Sequence, residues 1–283
     1  MSKVSTPAKW KTLASYFVLA YGITWVFALV GADRLWPFQI PAALRTSGRI
    51  LLHYGPALAA LVVTAYVGGK AGVRALLAGL GKWRVGLHWY LIALLLPTIL
   101  RLAAVSLDVL SGGSWPDFFH ASAVPPGNPL ILIVPVFLAV LFQAGLAEEI
   151  GWRGYALPQL QTRYSALTAS LILGILHGPW HFRPESMSIL APVILPWWLL
   201  VIAMSIIWTW LYNNTQGSLL LAVLFHTASD VSDWIVPTLP GLTAATSNKP
   251  FIILAGLLWI VAVGIILIFG PRTFVRKPQP PQK

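Results

Sequence analysis

Residues 250–270 read PFIILAGLLWIVAVGIILIFG. No ionisable side chain interrupts the run, and about 20 mainly apolar residues in a helix cross the hydrocarbon core of a bilayer. Working outward, comparable runs fall near 13–32, 50–69, 87–107, 129–150, 165–182, 189–212 and 216–236. They predict an all-α integral membrane protein, a bundle of about eight transmembrane helices with an intramembrane polar site. The breaks between runs include Gly68-Gly69-Lys70, Ser111-Gly112-Gly113, Pro125-Pro126-Gly127-Asn128 and Asn213-Asn214-Thr215. None leaves room for a soluble domain, so residues 1–283 are expected to form a single polytopic membrane domain. No inverted repeat of the kind many transporters carry is visible. Composition points the same way: 57% of residues are apolar and 10% charged, where a soluble globule carries roughly 25% charged residues. Such a chain cannot cover a water-facing surface.

The formal charge is +11. The cations sit at the edges of apolar runs rather than along one face, which suits anchors to membrane lipid and not a nucleic-acid partner. Eight spans put both termini on one side. Thirteen basic residues fall there (Lys3, Lys9, Lys11, Lys70, Arg74, Lys82, Arg84, Arg153, Arg163, Arg272, Arg276, Lys277 and Lys283). Five fall opposite (Arg34, Arg45, Arg49, Arg183 and Lys249). The excess predicts a multi-pass cell-membrane protein with both termini cytoplasmic. Trp10, Trp36, Trp83, Trp89, Trp197, Trp198 and Trp210 fall near span ends, as an aromatic belt does. The first run is long enough to span and is expected to be retained rather than cleaved as a signal peptide. With no cysteine, disulfides, thiolate nucleophiles and cysteine metal sites are excluded.

An ionisable group inside a membrane is costly, which makes each one a functional candidate. Of eight acids, Glu148, Glu149, Asp230 and Asp233 lie within or against apolar runs, as do His177, His181 and His226 among six histidines. They concentrate in the fourth, fifth and seventh runs, at helical spacing. Glu149 and Arg153 are four apart and able to pair. Glu148 is turned about 100° from Glu149, so the two carboxylates can take separate jobs. His177 and His181 are four apart, with Pro179 between them expected to kink the helix and free a carbonyl. His226 and Asp230 are four apart again. Structural readings stand beside these. Glu149–Arg153 can be a plain ion pair, His177 an interhelical hydrogen-bonder and Asp233 a solvated or capping residue. Arg101, alone in its span, can pair with a polar neighbour or snorkel.

The three stripes resemble the motifs of the CPBP (CAAX protease and bacteriocin-processing) family of intramembrane proteases, which includes the type II CAAX prenyl endopeptidases. The family pattern is E-E-x-x-x-R, then F-x-x-x-H, then H-x-x-x-N or H-x-x-x-D. Here the motifs are E-E-I-G-W-R (Glu148 to Arg153), H-G-P-W-H (His177 to His181) and H-T-A-S-D (His226 to Asp230). His177 stands where the family usually has Phe. The resemblance covers about 130–235 and implies a catalytic core there. It implies an intramembrane endopeptidase that hydrolyses a peptide bond with a glutamate-activated water in a membrane-embedded cavity. Its substrate is then expected to be a peptide or membrane protein, with or without an attached lipid. By that resemblance, Glu148 would be the general base, with His181 helping to position the water. His226 and Asp230 would stabilise the oxyanion, with Glu149 and Arg153 as the supporting pair. The roles make chemical sense: a carboxylate in low dielectric is a stronger base, and fixed donors act where charge develops. An ionised Asp230 is a poor oxyanion donor and is expected instead to orient His226, or to be protonated.

No cofactor is expected. The alternative is a zinc ion on Glu148, His181, His226 and Asp230 with an open water position, since the family has often been labelled metalloproteases; there is no H-E-x-x-H. Two other classes compete. A non-catalytic membrane scaffold or immunity protein is disfavoured because every motif position is filled. A proton-coupled transporter is disfavoured because the ionisable groups cluster instead of lining a path. For Glu148 and His181 to meet, the fourth span is expected to run on to about Pro158, since Gly151-Trp152 and Tyr155-Ala156-Leu157 can continue an apolar helix.

Overall fold

A computed structural model describes residues 10–32, 39–119, 128–239, 245 and 247–276. Lys3, Lys9, Arg34, Trp36, the Pro125–Gly127 break, Lys277 and Lys283 lie outside the described residues. Among those described the chain is helical throughout, with no strand.

Among the described residues six helices are long and apolar enough to cross a membrane: Trp10–Gly31, Ala42–Gly81, Leu87–Leu110, Ile131–Gln161, Ala191–Asn214 and Lys249–Phe269. Two shorter ones, Ala166–Trp180 and Leu219–Ile235, occupy the fifth and seventh places. The eight-helix bundle expected from the apolar runs is the architecture found. Large apolar side chains such as Val18, Leu95, Ile131, Val134 and Leu267 point outward, as lipid-facing residues do. This is a multi-pass membrane protein.

The second span departs from a simple rod. An amphipathic stretch, Ala42–Leu51, leads through a 3-10 turn, Leu52–Tyr54, into the helix proper. At Gly69 the backbone adopts φ 56°, a left-handed value that glycine takes without a Cβ penalty. The chain folds back there, so that a Cβ on Gly72 would lie 3.1 Å from the Thr64 methyl. In an unbroken helix eight residues span about 12 Å. Lys70 and Arg74 ride on this turned arm.

The fourth and fifth spans settle the depth of the polar stripes. The fourth runs on to Gln161, 31 residues and roughly 46 Å in all, so Glu148 and Glu149 sit near its middle. The fifth starts at Ser165, whose hydroxyl caps it by accepting from the Thr168 N–H, and ends early, at Trp180. Pro184 opens a separate short helix, Pro184–Leu190. Because a four-residue turn joins the spans, Glu148, thirteen residues before Gln161, and His177, eleven after Ala166, reach the same level. Pro179 leaves the Ile175 carbonyl without its helical donor, and Trp198 Nε1 supplies one at 3.2 Å.

Packing among the described residues falls into two large apolar clusters and a small one around Leu190, Val193, Leu239 and Phe251. Of the large two, one joins the first, second, fourth and fifth spans around Tyr16, Trp152 and Trp180. The other joins the third, sixth, seventh and eighth around Ile206, Trp208 and Phe225. Ile150, next to the glutamate pair, touches both, which places the polar site at their seam.

Candidate active site

The fourth span is not wound as a uniform α-helix. Leu141–Leu146 and Ile150–Ala156 are π-helical, flanking the single α-helical step Ala147–Glu149. Wider π turns inside an α-helix recur at functional sites because they re-aim side chains. Two glycines let neighbours close on this segment. A Cβ on Gly151 would lie 2.5 Å from backbone atoms of Pro56 in the second span, and one on Gly145 would lie 2.5 Å from Thr227 Oγ1 in the seventh. Both contacts are closer than real Cβ atoms tolerate.

The adjacent glutamates diverge as their 100° offset implies. Glu149 is fully buried, and its Oε1 accepts from Arg153 Nη1 at 2.9 Å and lies 2.7 Å from His226 Nδ1. The Arg153 guanidinium packs over the Trp208 ring, 4.1 Å from its centroid, a cation–π contact that strengthens away from water. Glu148, 2% exposed, turns the other way. Its Oε2 lies 3.2 Å from His177 Nε2 and its Oε1 lies 3.8 Å from His53 Nδ1. His181 Nε2 lies 3.3 Å from that same His177 nitrogen. His226 Nε2 faces Asp230 Oδ2 at 3.6 Å, and the Asp230 side chain is about half exposed, at 48%.

Glu148, His177, His181, His226 and Asp230 all line one cavity of about 460 Å³. Apolar side chains of the third, sixth and eighth spans wall it, among them Leu100, Leu200, Met204, Leu254 and Leu258. A polar end with a carboxylate and imidazoles beside an apolar chamber can hold a water against a bound apolar peptide.

The expected residues are thus brought together in two groups rather than one. Glu149, Arg153, His226 and Asp230 form a chain of contacts, while Glu148 and His181 meet through His177. The alternative zinc set of Glu148, His181, His226 and Asp230 is not the group whose ligand atoms come together among the described residues. The atoms that do converge are one each from Glu148, His177 and His181, all within 4.8 Å of one another. Two imidazoles and a carboxylate fit zinc, and an ion held there would supply a Lewis acid and an activated water. His177 Nδ1, however, has no hydrogen-bond partner among the described residues, and metal-bound histidines are ordinarily oriented through that second nitrogen. Asp233, read from sequence as a solvated or capping residue, instead pairs with Arg101 at 2.6 Å.

The geometry can be set against known proteins. The family model described as type II CAAX prenyl endopeptidase Rce1-like matches residues 130–232. CAAX prenyl protease 2 of Methanococcus maripaludis is 32% identical over 193 residues, which is 65% of this chain and 66% of the relative. The chain belongs to this family. The Rce1-like match encloses all three stripes. It leaves out His53 and Arg101, which the fold delivers to the cavity from the second and third spans. Sequence reading missed His53 altogether, and it understated His177, whose spacing from His181 was the available signal.

Proposed function

We propose that this Rce1-like protein is an intramembrane endopeptidase, hydrolysing a peptide bond of an apolar or C-terminally lipidated peptide with a water activated by Glu148 and without a metal cofactor. The observation that supports it most is the pairing of neighbours. Glu149 and Arg153 engage each other and His226, while Glu148 keeps its carboxylate on the cavity beside His177 and His181.

Glu148 takes a proton from water as the oxygen attacks the carbonyl carbon. His181 positions that water. When both its nitrogens carry protons, His226 donates Nδ1–H to Glu149 and Nε2–H to the oxyanion. The protonated Glu148 then gives its proton to the leaving nitrogen as the C–N bond breaks, leaving a carboxylic acid and an amine. Glu149 and Arg153 hold His226, and Asp230 borders its outer nitrogen. The apolar walls suit a hydrophobic chain, and the relative's name, CAAX prenyl protease 2, makes a lipidated C-terminus the first substrate to try.

Glu148→Gln tests this directly. Purified protein in nanodiscs, given lipidated and unlipidated peptides, should lose about a hundred- to ten-thousandfold in cleavage rate with its thermal midpoint nearly unchanged. A variant turning over at half the normal rate removes Glu148 from the role of base. The orientation is proposed from the basic residues, with both termini cytoplasmic. A cysteine replacing Lys70 in this cysteine-free chain should then label from the cytoplasmic side, and labelling from outside would reverse it.

A further inference from the structure

We infer that Glu148, His177 and His181 form a reversible site for a divalent cation of zinc type, and that its occupation takes Glu148 out of use. The inference concerns regulation of the proposed site, and rests on that reading only for its consequence.

The distances carry it. Tetrahedral ligands about 2.0–2.2 Å from zinc lie roughly 3.3–3.5 Å from one another. Glu148 Oε2 to His177 Nε2 is 3.2 Å and His177 Nε2 to His181 Nε2 is 3.3 Å, so two edges of such a site are already present. The third falls within 4.8 Å, and His181, only partly buried, is the member with room to swing inward. Proton bookkeeping favours an ion as well. A single imidazole nitrogen presents either a proton or a lone pair. As N–H, His177 Nε2 would have to split one proton between a carboxylate and a second imidazole. As a lone pair, it would leave the carboxylate unserved. A cation accepts lone pairs from all three.

Two features make the site reversible rather than a resident metal centre. The unpartnered Nδ1 of His177 leaves that ring without the contact that ordinarily fixes a ligand, and losing such a contact weakens metal sites by about ten- to a hundredfold. The three atoms also open on the cavity, where an ion can be captured and lost. His177, the position at which this chain departs from the expected Phe, is the member that completes the set.

The test uses the full chain in nanodiscs, metal-stripped, with Zn²⁺ as the probe in buffered solution. Three readouts apply: bound zinc per chain, zinc protection of Glu148 from a hydrophobic carbodiimide followed by mass spectrometry, and peptide cleavage. One zinc per chain is expected, with Glu148 labelling suppressed and cleavage lost until a chelator is added. His177→Phe should weaken zinc binding at least about a hundredfold and abolish protection; His177→Gln, a polar replacement, should do the same if the Phe variant misfolds. Stoichiometric binding that leaves Glu148 labelling unchanged, or equal binding in both variants, overturns the site. Zinc that restores cleavage to stripped protein overturns the blocking role and the metal-free reaction together. Zinc that protects Glu148 in a protein that cleaves nothing upholds the site and sinks the proposed function alone.

Discussion

Two polar clusters open on the same cavity, and they are built to different ends. At one, Arg101 of the third span donates Nε to Ser232 Oγ at 2.9 Å and Nη1 to Asp233 Oδ1 at 2.6 Å. Thr238 bonds both members of that pair. Donors and acceptors there are spent on one another, and the result is a strap between the third and seventh spans. At the other, Glu149 Oε1 joins Arg153 and His226, while Glu149 Oε2 and Arg153 Nε and Nη2 find no hydrogen-bond partner among the described residues. Glu148 there meets only imidazoles, one of them shared. An ionisable group inside a membrane is therefore not in itself a sign of chemistry. The sign is a charge whose partners can themselves give or take a proton.

Breaking Glu149 should have the largest effect. Glu149→Gln leaves Arg153 as an uncompensated charge at full burial, which typically costs about 3–5 kcal/mol, and it loosens His226 as well. Thermal unfolding in detergent should fall by well over what Glu148→Gln produces, and the folded fraction should show a reduced kcat at little-changed KM. Equal midpoints for the two glutamine variants would mean that the neighbours are not specialised as their contacts imply.

His226→Gln comes next. An amide N–H can still reach a developing charge, so some rate should survive; losing one such donor costs roughly a hundred- to a thousandfold. Wild-type turnover in this variant would take His226 away from the oxyanion and leave it a structural partner of Glu149.

How much of this was legible is instructive at particular residues. The eight spans were, because lipid demands long apolar runs whatever their neighbours. The extension of the fourth span was too, since Gly151-Trp152 and Tyr155-Ala156-Leu157 carry nothing that stops a helix. The end of the fifth was legible to within two residues: Arg183-Pro184-Glu185 stops the apolar run near 182, and the backbone leaves the helix at Trp180. Spacing showed that Glu148 and Glu149 point apart, but not which histidine each would meet. That depends on which spans press against Gly145 and Gly151, a matter of bundle packing that local sequence does not carry. His53 was invisible for the same reason. It sits in a 3-10 turn with no spacing relation to residue 148.

The strap offers a smaller and cleaner contrast. Arg101→Leu or Asp233→Leu alone should cost about 1.5–3 kcal/mol, the usual worth of hydrogen bonds to a charged group. The double variant should lose less than the sum, since removing one partner strands the other and removing both does not. Cleavage per folded molecule should stay within a few-fold of wild type throughout. Strict additivity in the cycle would mean the two side chains do not act as a pair, and a hundredfold loss of turnover would move this cluster into the active site.

Asp230→Asn should do least. Its carboxylate is 48% exposed and stands 3.6 Å from His226 Nε2, while the opposite nitrogen is held at 2.7 Å by a fully buried Glu149. An ion pair that open to its surroundings is worth up to about 1 kcal/mol, which is at most roughly fivefold in rate. The sign of the change separates the two roles open to this residue. If Asp230 only borders His226 as an acceptor, asparagine keeps an acceptor oxygen there and turnover drops slightly. If the position contributes a donor to the oxyanion, asparagine supplies an N–H that an ionised carboxylate lacks, and turnover rises. A fall of a hundredfold or more would fit neither and would make Asp230, not Glu149, the group that holds His226 in place.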